Sequence, residues 1–243
     1  MATDFGLSHF SSFNAAGVGH STQLWSNNYL NVHGNNVRVN FNHYGCFGAG
    51  WYGTHPGAWS AAGWATGAAW RAATWGALAP WCGIAAAPVY YDYGNTVVYQ
   101  GGDVYVNGDD AGTASGYAQQ ATMLAGEGAQ AQPSAEDQWQ PLGVFALVEG
   151  DEKSSDNIFQ LAVNQSGVIR GNYYDAVTDE TTPVSGSVDK QSQRAAWTIG
   201  EKQNRVFDCG IYNLTKDQTP VLVHTGSDKT EQLLLVRLQQ PQG

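Results

Sequence analysis

From Gln140 onward the sequence alternates apolar runs with turn signals at about twelve-residue spacing, and this constrains the fold more than any other feature. The runs are 142–148, 158–163, 168–174, 184–188, 195–199, 206–211, 221–224 and 233–238. Turn-forming stretches rich in Gly, Asn, Asp, Ser and Pro separate them. Connections this short leave no room for crossover helices, so consecutive strands must pair as antiparallel neighbours. Several runs also alternate. Phe159, Leu161 and Val163 share one side, with Gln160 and Asn164 on the other. Ile169, Gly171 and Tyr173 oppose Arg170 and Asn172, and Trp197 and Ile199 oppose Thr198. The pattern predicts one buried face, one wet face and an eight-stranded antiparallel up-and-down meander over 138–241. A small closed barrel removes the sheet edges, and an open sheet or a two-sheet sandwich is the competing layout.

The front of the chain has a different character. Residues 1–88 carry only three formal charges, Asp4, Arg38 and Arg71, yet hold seven of the nine tryptophans. The other acids and bases lie beyond Pro88, which marks a segment boundary. A net charge of −10 and a pI near 4.8 exclude a nucleic-acid binder, because phosphate contacts need clustered Lys and Arg. Three cysteines exclude a disulfide-dense scaffold. Met1-Ala2-Thr3-Asp4 opens without the basic and apolar regions of a secretory signal, and Ser8 to Asn14 reads as linker. The expectation is therefore a fragment whose true N-terminus lies upstream.

Within residues 1–88 the alternation of Val37, Val39 and Phe41 predicts a short strand over 35–42. An eleven-residue repeat follows. Ala58-Trp59-Ser60-Ala61-Ala62-Gly63-Trp64 recurs as Ala69-Trp70-Arg71-Ala72-Ala73-Thr74-Trp75, and Pro80-Trp81 begins a third copy. Eleven residues make close to three helical turns. A helix starting at Thr54-His55-Pro56 and stopping at Pro80 would set Trp59 over Trp70 and Trp64 over Trp75. Its remaining face, including Gly63 and Gly67, would be small enough for close backbone approach. A transmembrane span is unlikely here, since Leu78 is the one large aliphatic residue and Arg71 sits near the middle. A β-hairpin around Gly101-Gly102 and a short helix over 113–125, capped by Thr113 or Ser115, make a second segment at 89–125. Residues 126–137 read as linker.

No reaction is legible. Gly48-Ala49-Gly50-Trp51-Tyr52-Gly53 matches a dinucleotide-binding loop by letter, but no acid lies between Asp4 and Asp92 to hold a ribose, so a Gly-rich turn is the reading. His33, His43, Cys46, His55 and Cys82 are metal-ligand types at spacings that fit no closed zinc pattern. In an exported protein a Cys46–Cys82 disulfide is as open as a metal, and Cys209 reads as a small core residue. Asp103, Asn107, Asp109 and Asp110 lack the closing Glu of a calcium loop and read as a solvated turn, as do Asp175, Asp179 and Glu180. There is no G-x-S-x-G elbow, and His224 reads as a plain strand residue. The expectation is a non-enzyme with no catalytic residue, no cofactor and no metal.

In layout the C-terminal meander resembles avidin-like and lipocalin-like barrels, a likeness of architecture alone. A second resemblance rests on sequence. Tyr90-Tyr91-Asp92-Tyr93-Gly94-Asn95, Val104-Tyr105, Tyr117-Ala118-Gln119-Gln120, Trp139-Gln140-Pro141-Leu142-Gly143-Val144-Phe145-Ala146 and Gly171-Asn172-Tyr173-Tyr174 are among its motifs. Gln193-Arg194-Ala195-Ala196-Trp197-Thr198 and Leu234-Leu235-Val236-Arg237-Leu238 belong with them. Residues 88–241 resemble a planctomycete family of uncharacterised proteins labelled mu-protocadherin or cell-surface protein, and residues 1–88 do so more loosely. That resemblance implies export to a cell surface or envelope and implies no catalytic residues.

Two functions follow as expectations. In the first, the protein is a non-catalytic structural or interaction protein, with the barrel as stable module and Trp59, Trp64, Trp70, Trp75 and Trp81 as the surface for self-association or an envelope partner. This reading expects that removing residues 1–88 leaves a soluble monomer. In the alternative, the barrel binds a small apolar ligand through Phe159, Tyr173, Trp197 and Phe207.

Overall fold

A computed structural model describes residues 10–14, 20–62, 64, 67–150, 152–201 and 204–240, with 10–14 and Asn27 described by backbone only. Strands β1 (Phe10–Asn14) and β2 (Ser21–Trp25) form an antiparallel pair, so the stretch read as linker is partly strand. Three helices follow: α1 (Asn27–Asn40), α2 (Ala49–Thr54) and α3 (Trp75–Cys82). A small antiparallel sheet of β3 (Val97–Gln100), β4 (Asp103–Val106) and β5 (Asp109–Thr113) leads into α4 (Ala114–Gln130). Eight strands complete the chain: β6 (Trp139–Val148), β7 (Asn157–Asn164), β8 (Val168–Asp175), β9 (Glu180–Asp189), β10 (Arg194–Ile199), β11 (Arg205–Gly210), β12 (Gln218–Thr225) and β13 (Lys229–Leu238).

These last eight strands pair antiparallel in sequence order, and β13 returns to β6 through Leu234↔Val148 to Leu238↔Val144, which closes the barrel. Of the competing layouts, the open sheet and the sandwich are thereby excluded. β2 lies outside the closed ring and pairs parallel to β13 at Lys229–Glu231. The inward-facing residues are those read from the alternation. Phe145, Leu147, Phe159, Leu161, Val163, Ile169, Val184, Trp197, Phe207, Val221, Val223 and Leu235 meet in one buried cluster. One end of the barrel is closed by α3, whose Leu78, Ala79 and Cys82 join that cluster. Arg237 plugs the same end, donating to the carbonyls of Leu142 (2.8 Å), Lys216 (3.1 Å) and Leu214. Gly143, at φ 130° beside a register shift in β6, makes room for it, since a Cβ there would lie 2.3 Å from Arg237 Nη1.

The outward face is not wet. Gln160, Asn172, Thr198 and Asp208 are each at most 1 % exposed, because residues 20–131 are wrapped around the barrel. α1, Phe47 and Trp70 cover Val144, Ala146, Val148, Ile158, Leu234, Val236 and Leu238. The small sheet packs Tyr91, Tyr93, Val97, Tyr99 and Val104 on Leu222. α4 lays Ala121 and Ala125 on Ala196 and Val206. It approaches β9 so closely that a Cβ on Gly128 would lie 1.9 Å from the backbone of Gly186. Arg170, Ser187 and Arg194 tie α4 down by donating to the carbonyls of Gly128 (2.9 Å), Leu124 (2.6 Å) and Tyr117 (3.0 Å).

Three sequence expectations are corrected. The strand over 35–42 is the end of α1, started by Ser26, whose side chain accepts from Tyr29 N. Leu30, Val37 and Phe41 are buried at helical spacing while Val39 is 83 % exposed, so the helical period wins over the alternation. The helix over 54–80 does not form: Thr54 ends α2, Ala68–Trp70 is a single 3-10 turn, and α3 contains Pro80 in its interior. The tryptophans pack against separate parts of the barrel instead of lining up in two rows, with Trp59 and Trp64 meeting edge-on beside Trp139. Gly63 of the small-residue face lies outside the described residues. Finally, Asp109–Thr113 is a third strand, not a turn, and α4 extends to Gln130, into the stretch read as linker.

Candidate functional site

The four residues nominated for a ligand do meet inside the barrel. Trp197 and Phe207 stack at 5.9 Å between centroids, while Phe159 lies 5.1 Å from Phe207 and 5.3 Å from Tyr173. Trp197, Phe159 and Phe207 are completely buried and occupy the interior with their own rings, as expected for a barrel of eight strands. Tyr173 sits toward the other end of the barrel from α3, where its hydroxyl donates to Asn157 Oδ1 at 2.6 Å. One polar atom in this interior is unsatisfied: the indole N–H of Trp197 has no partner.

The five repeat tryptophans do not form the expected rows, though Trp59 and Trp64 meet edge-on at 5.8 Å. Trp70 is buried and donates to Cys46 O at 3.0 Å. Trp64 and Trp81 are half-buried and donate to the strand-end carbonyls of Trp139 and Val163, each at 3.2 Å. Trp59 packs edge-on against Trp139 at 5.0 Å, and Trp75 against Tyr212 at 5.2 Å. The wrap is also held by buried carboxamides that each bind two backbone groups. Asn172 pairs with the N–H and C=O of Trp59, both at 2.7 Å. Asn213 does the same for Tyr91 at 3.0 and 2.8 Å. Gln193 takes the N–H of Val89 (2.9 Å) and the C=O of Ala87 (2.8 Å).

The most concentrated polar chemistry lies between barrel and wrap, in Arg194 and Asp208, which sequence reasoning did not single out as a site, and in His224, which it read as a plain strand residue. Arg194 donates twice to Asp208, at 2.8 and 2.5 Å, and its guanidinium lies 3.5 Å over the Tyr117 ring. His224 Nε2 donates to Asp208 Oδ2 at 3.1 Å, so its Nδ1 accepts from the Thr230 hydroxyl at 2.9 Å. His20 Nε2 lies 2.8 Å from the same hydroxyl, and its Nδ1 lies 2.7 Å from the Ser227 carbonyl. Burial alone would raise the Asp208 carboxyl, but the Arg194 guanidinium and the His224 contact hold it below the usual carboxylate range. Burial depresses His224, against the pull of Asp208, so its ring is neutral. A Thr-His-Asp order has the look of a nucleophile relay, yet Thr230, His224 and Asp208 are at most 1 % exposed and Asp208 is committed to Arg194. The arrangement ties layers together. The available signal was a charge inside an apolar run, at Phe207-Asp208-Cys209.

The cysteines are free and buried, and burial pushes the thiols of Cys46 and Cys82 up to about 12 and about 11. Cys209 is a small residue of the barrel interior. Among the described residues no group of three or more His, Cys, Asp or Glu side chains could hold a metal ion. No helix among them is long and apolar enough to cross a membrane. Two clefts open on the outside of the molecule. One, of about 660 Å³, runs beside α4 with Gln120, Met123 and Lys190 at its rim and Arg194 in its floor. The other, of about 670 Å³, lies between α1 and the turn before β12. Comparison with known proteins matched no family, no curated protein and no solved structure.

Proposed function

We propose that the protein is a non-catalytic interaction protein of the cell exterior, with the barrel as stable scaffold and the Trp-rich wrap as the surface through which it associates. The observation that carries this reading is the filling of the barrel by Phe159, Trp197 and Phe207, which leaves recognition to the outside. On that outside Trp59, Trp64, Trp75 and Trp81 are only half-buried, and Val32 and Val39 are 51 % and 83 % exposed. Export and an envelope location rest on the sequence resemblance. Native mass spectrometry of the full chain at about 50 µM is the test. Oligomers that dissociate in a Val32→Ser/Val39→Ser variant are the expected result, and a full-length monomer at that concentration overturns the reading.

A second reading is favoured by one atom. The unpartnered Trp197 N–H supports an acceptor-bearing ligand held among Phe159, Tyr173, Trp197 and Phe207. In the same experiment an extra mass of a few hundred daltons riding on the protein would select this carrier function over the scaffold.

A further inference from the structure

The geometry points to a binding site for a saccharide in the cleft between α1 and the turn before β12, a ligand class that goes beyond the association proposed above and does not depend on it. Sugars are recognised by an aromatic face for their C–H surface and by planar polar side chains that match vicinal hydroxyls. The cleft supplies both within about 670 Å³. Its aromatic side is Tyr90 and Tyr212, edge-to-face at 6.3 Å, with Tyr90 37 % exposed to solvent. Its polar side is Asn31 and Asn35, one turn apart on α1, facing Asp217 at the start of β12.

Arg38 and Gln218, which also line the cleft, tie its two sides together. Arg38 donates to Asn35 Oδ1 at 3.0 Å and to the Asp217 carbonyl at 3.0 Å. Gln218 donates to the Asn31 carbonyl at 3.3 Å. Asn35 therefore has its oxygen engaged by Arg38, and the exposed Asp217 carboxylate also favours the charge of the buried Arg237 guanidinium. Lys216 donates to the Tyr212 hydroxyl at 2.6 Å and lies 4.0 Å over the ring. Among the described residues Arg38 and Lys216 bond neutral groups here, so the cleft carries two positive charges beside the Asp217 carboxylate.

Titration of the full chain with cellohexaose, chitohexaose and maltohexaose, followed by calorimetry and by tyrosine and tryptophan fluorescence, tests the site. Saturable binding of at least one of them, with Kd between about 10 µM and 1 mM, is expected. Tyr90→Ala and Asp217→Asn should each weaken it by roughly tenfold or more, while the melting transition stays where it is because both side chains sit at the surface. Absence of saturable binding of all three at about 5 mM overturns the proposal. So does binding that neither substitution changes. Oligomeric state, read in parallel, separates failure of this site from failure of the association reading.

Discussion

The inside and the outside of the barrel are both buried, by opposite chemistry. Inside, aromatic and aliphatic side chains meet across a dry interior with Trp197, Phe159 and Phe207 at its centre. Outside, the surface is apolar under α1, at Leu222 and under α4, and beside these patches lie an ion pair, a histidine relay and carboxamides that grip the backbone of the wrap. Apolar packing is non-directional and supplies stability. Hydrogen-bonded groups have one correct geometry, and a misplaced segment leaves them unpaired at a cost of about 1–3 kcal/mol each. The difference teaches how a low-complexity front segment rich in Gly and Ala finds one position on the barrel: the polar clamps specify where it goes, and the rings it carries fill what lies beneath.

Substitutions break the two halves of this comparison differently. Asp208→Ala leaves the Arg194 guanidinium buried without its counter-charge and should cost about 3–5 kcal/mol in urea unfolding. The double variant Arg194→Met/Asp208→Leu should recover a large part of that loss, because an apolar pair of similar size needs no partner. Trp197→Ala on the inside should also cost about 3–5 kcal/mol, with no rescue by a partner change. If its main effect were instead the loss of a bound small molecule, the interior would be a pocket. Asn213→Ala removes one clamp on Tyr91 and should cost about 1–3 kcal/mol.

Acidity gives the smallest and most graded effect. His224 in the folded protein lies below its ordinary value of 6.5, so the unfolded chain binds the proton first. Its contribution is fully present above about pH 6.5 and is lost as the pH falls, with a slope of at most about 1.4 kcal/mol per pH unit. Asp208, also depressed, adds a second loss below its ordinary value of 3.8. Urea midpoints measured between about pH 8 and 5 should fall on the acid side. In His224→Gln the decline beginning near 6.5 should flatten.

The barrel was legible because period-two alternation and short turns are local signals, and all eight runs became strands. The hidden part was what covers it. Val37, Val39 and Phe41 alternate on paper, but the buried pair is Val37 on α1 and Phe41 just past its end, while Val39 is exposed. The Trp repeat fits a helix by spacing, yet the niches offered by Trp139 and the end of β7 lie far away in sequence. The same holds for the site residues. Phe159, Tyr173, Trp197 and Phe207 were placed together by alternation alone, whereas Arg194, Asp208, His224 and His20 meet only once three strands and the segment before β2 are assembled.

The coverage of the outer face also bears on the soluble monomer expected from removal of residues 1–88. That deletion would expose Val144, Ala146, Val148, Leu234, Val236 and Leu238, a contiguous apolar surface. The central claim is that wrap and barrel are one cooperative unit. Hydrogen exchange of the intact chain in increasing urea, read by mass spectrometry on peptides from α1 and α4 and from β10 to β12, tests it most directly. The account predicts that these peptides lose protection together at a single urea concentration. Early loss in α1 and α4, with the strands still protected, would contradict it.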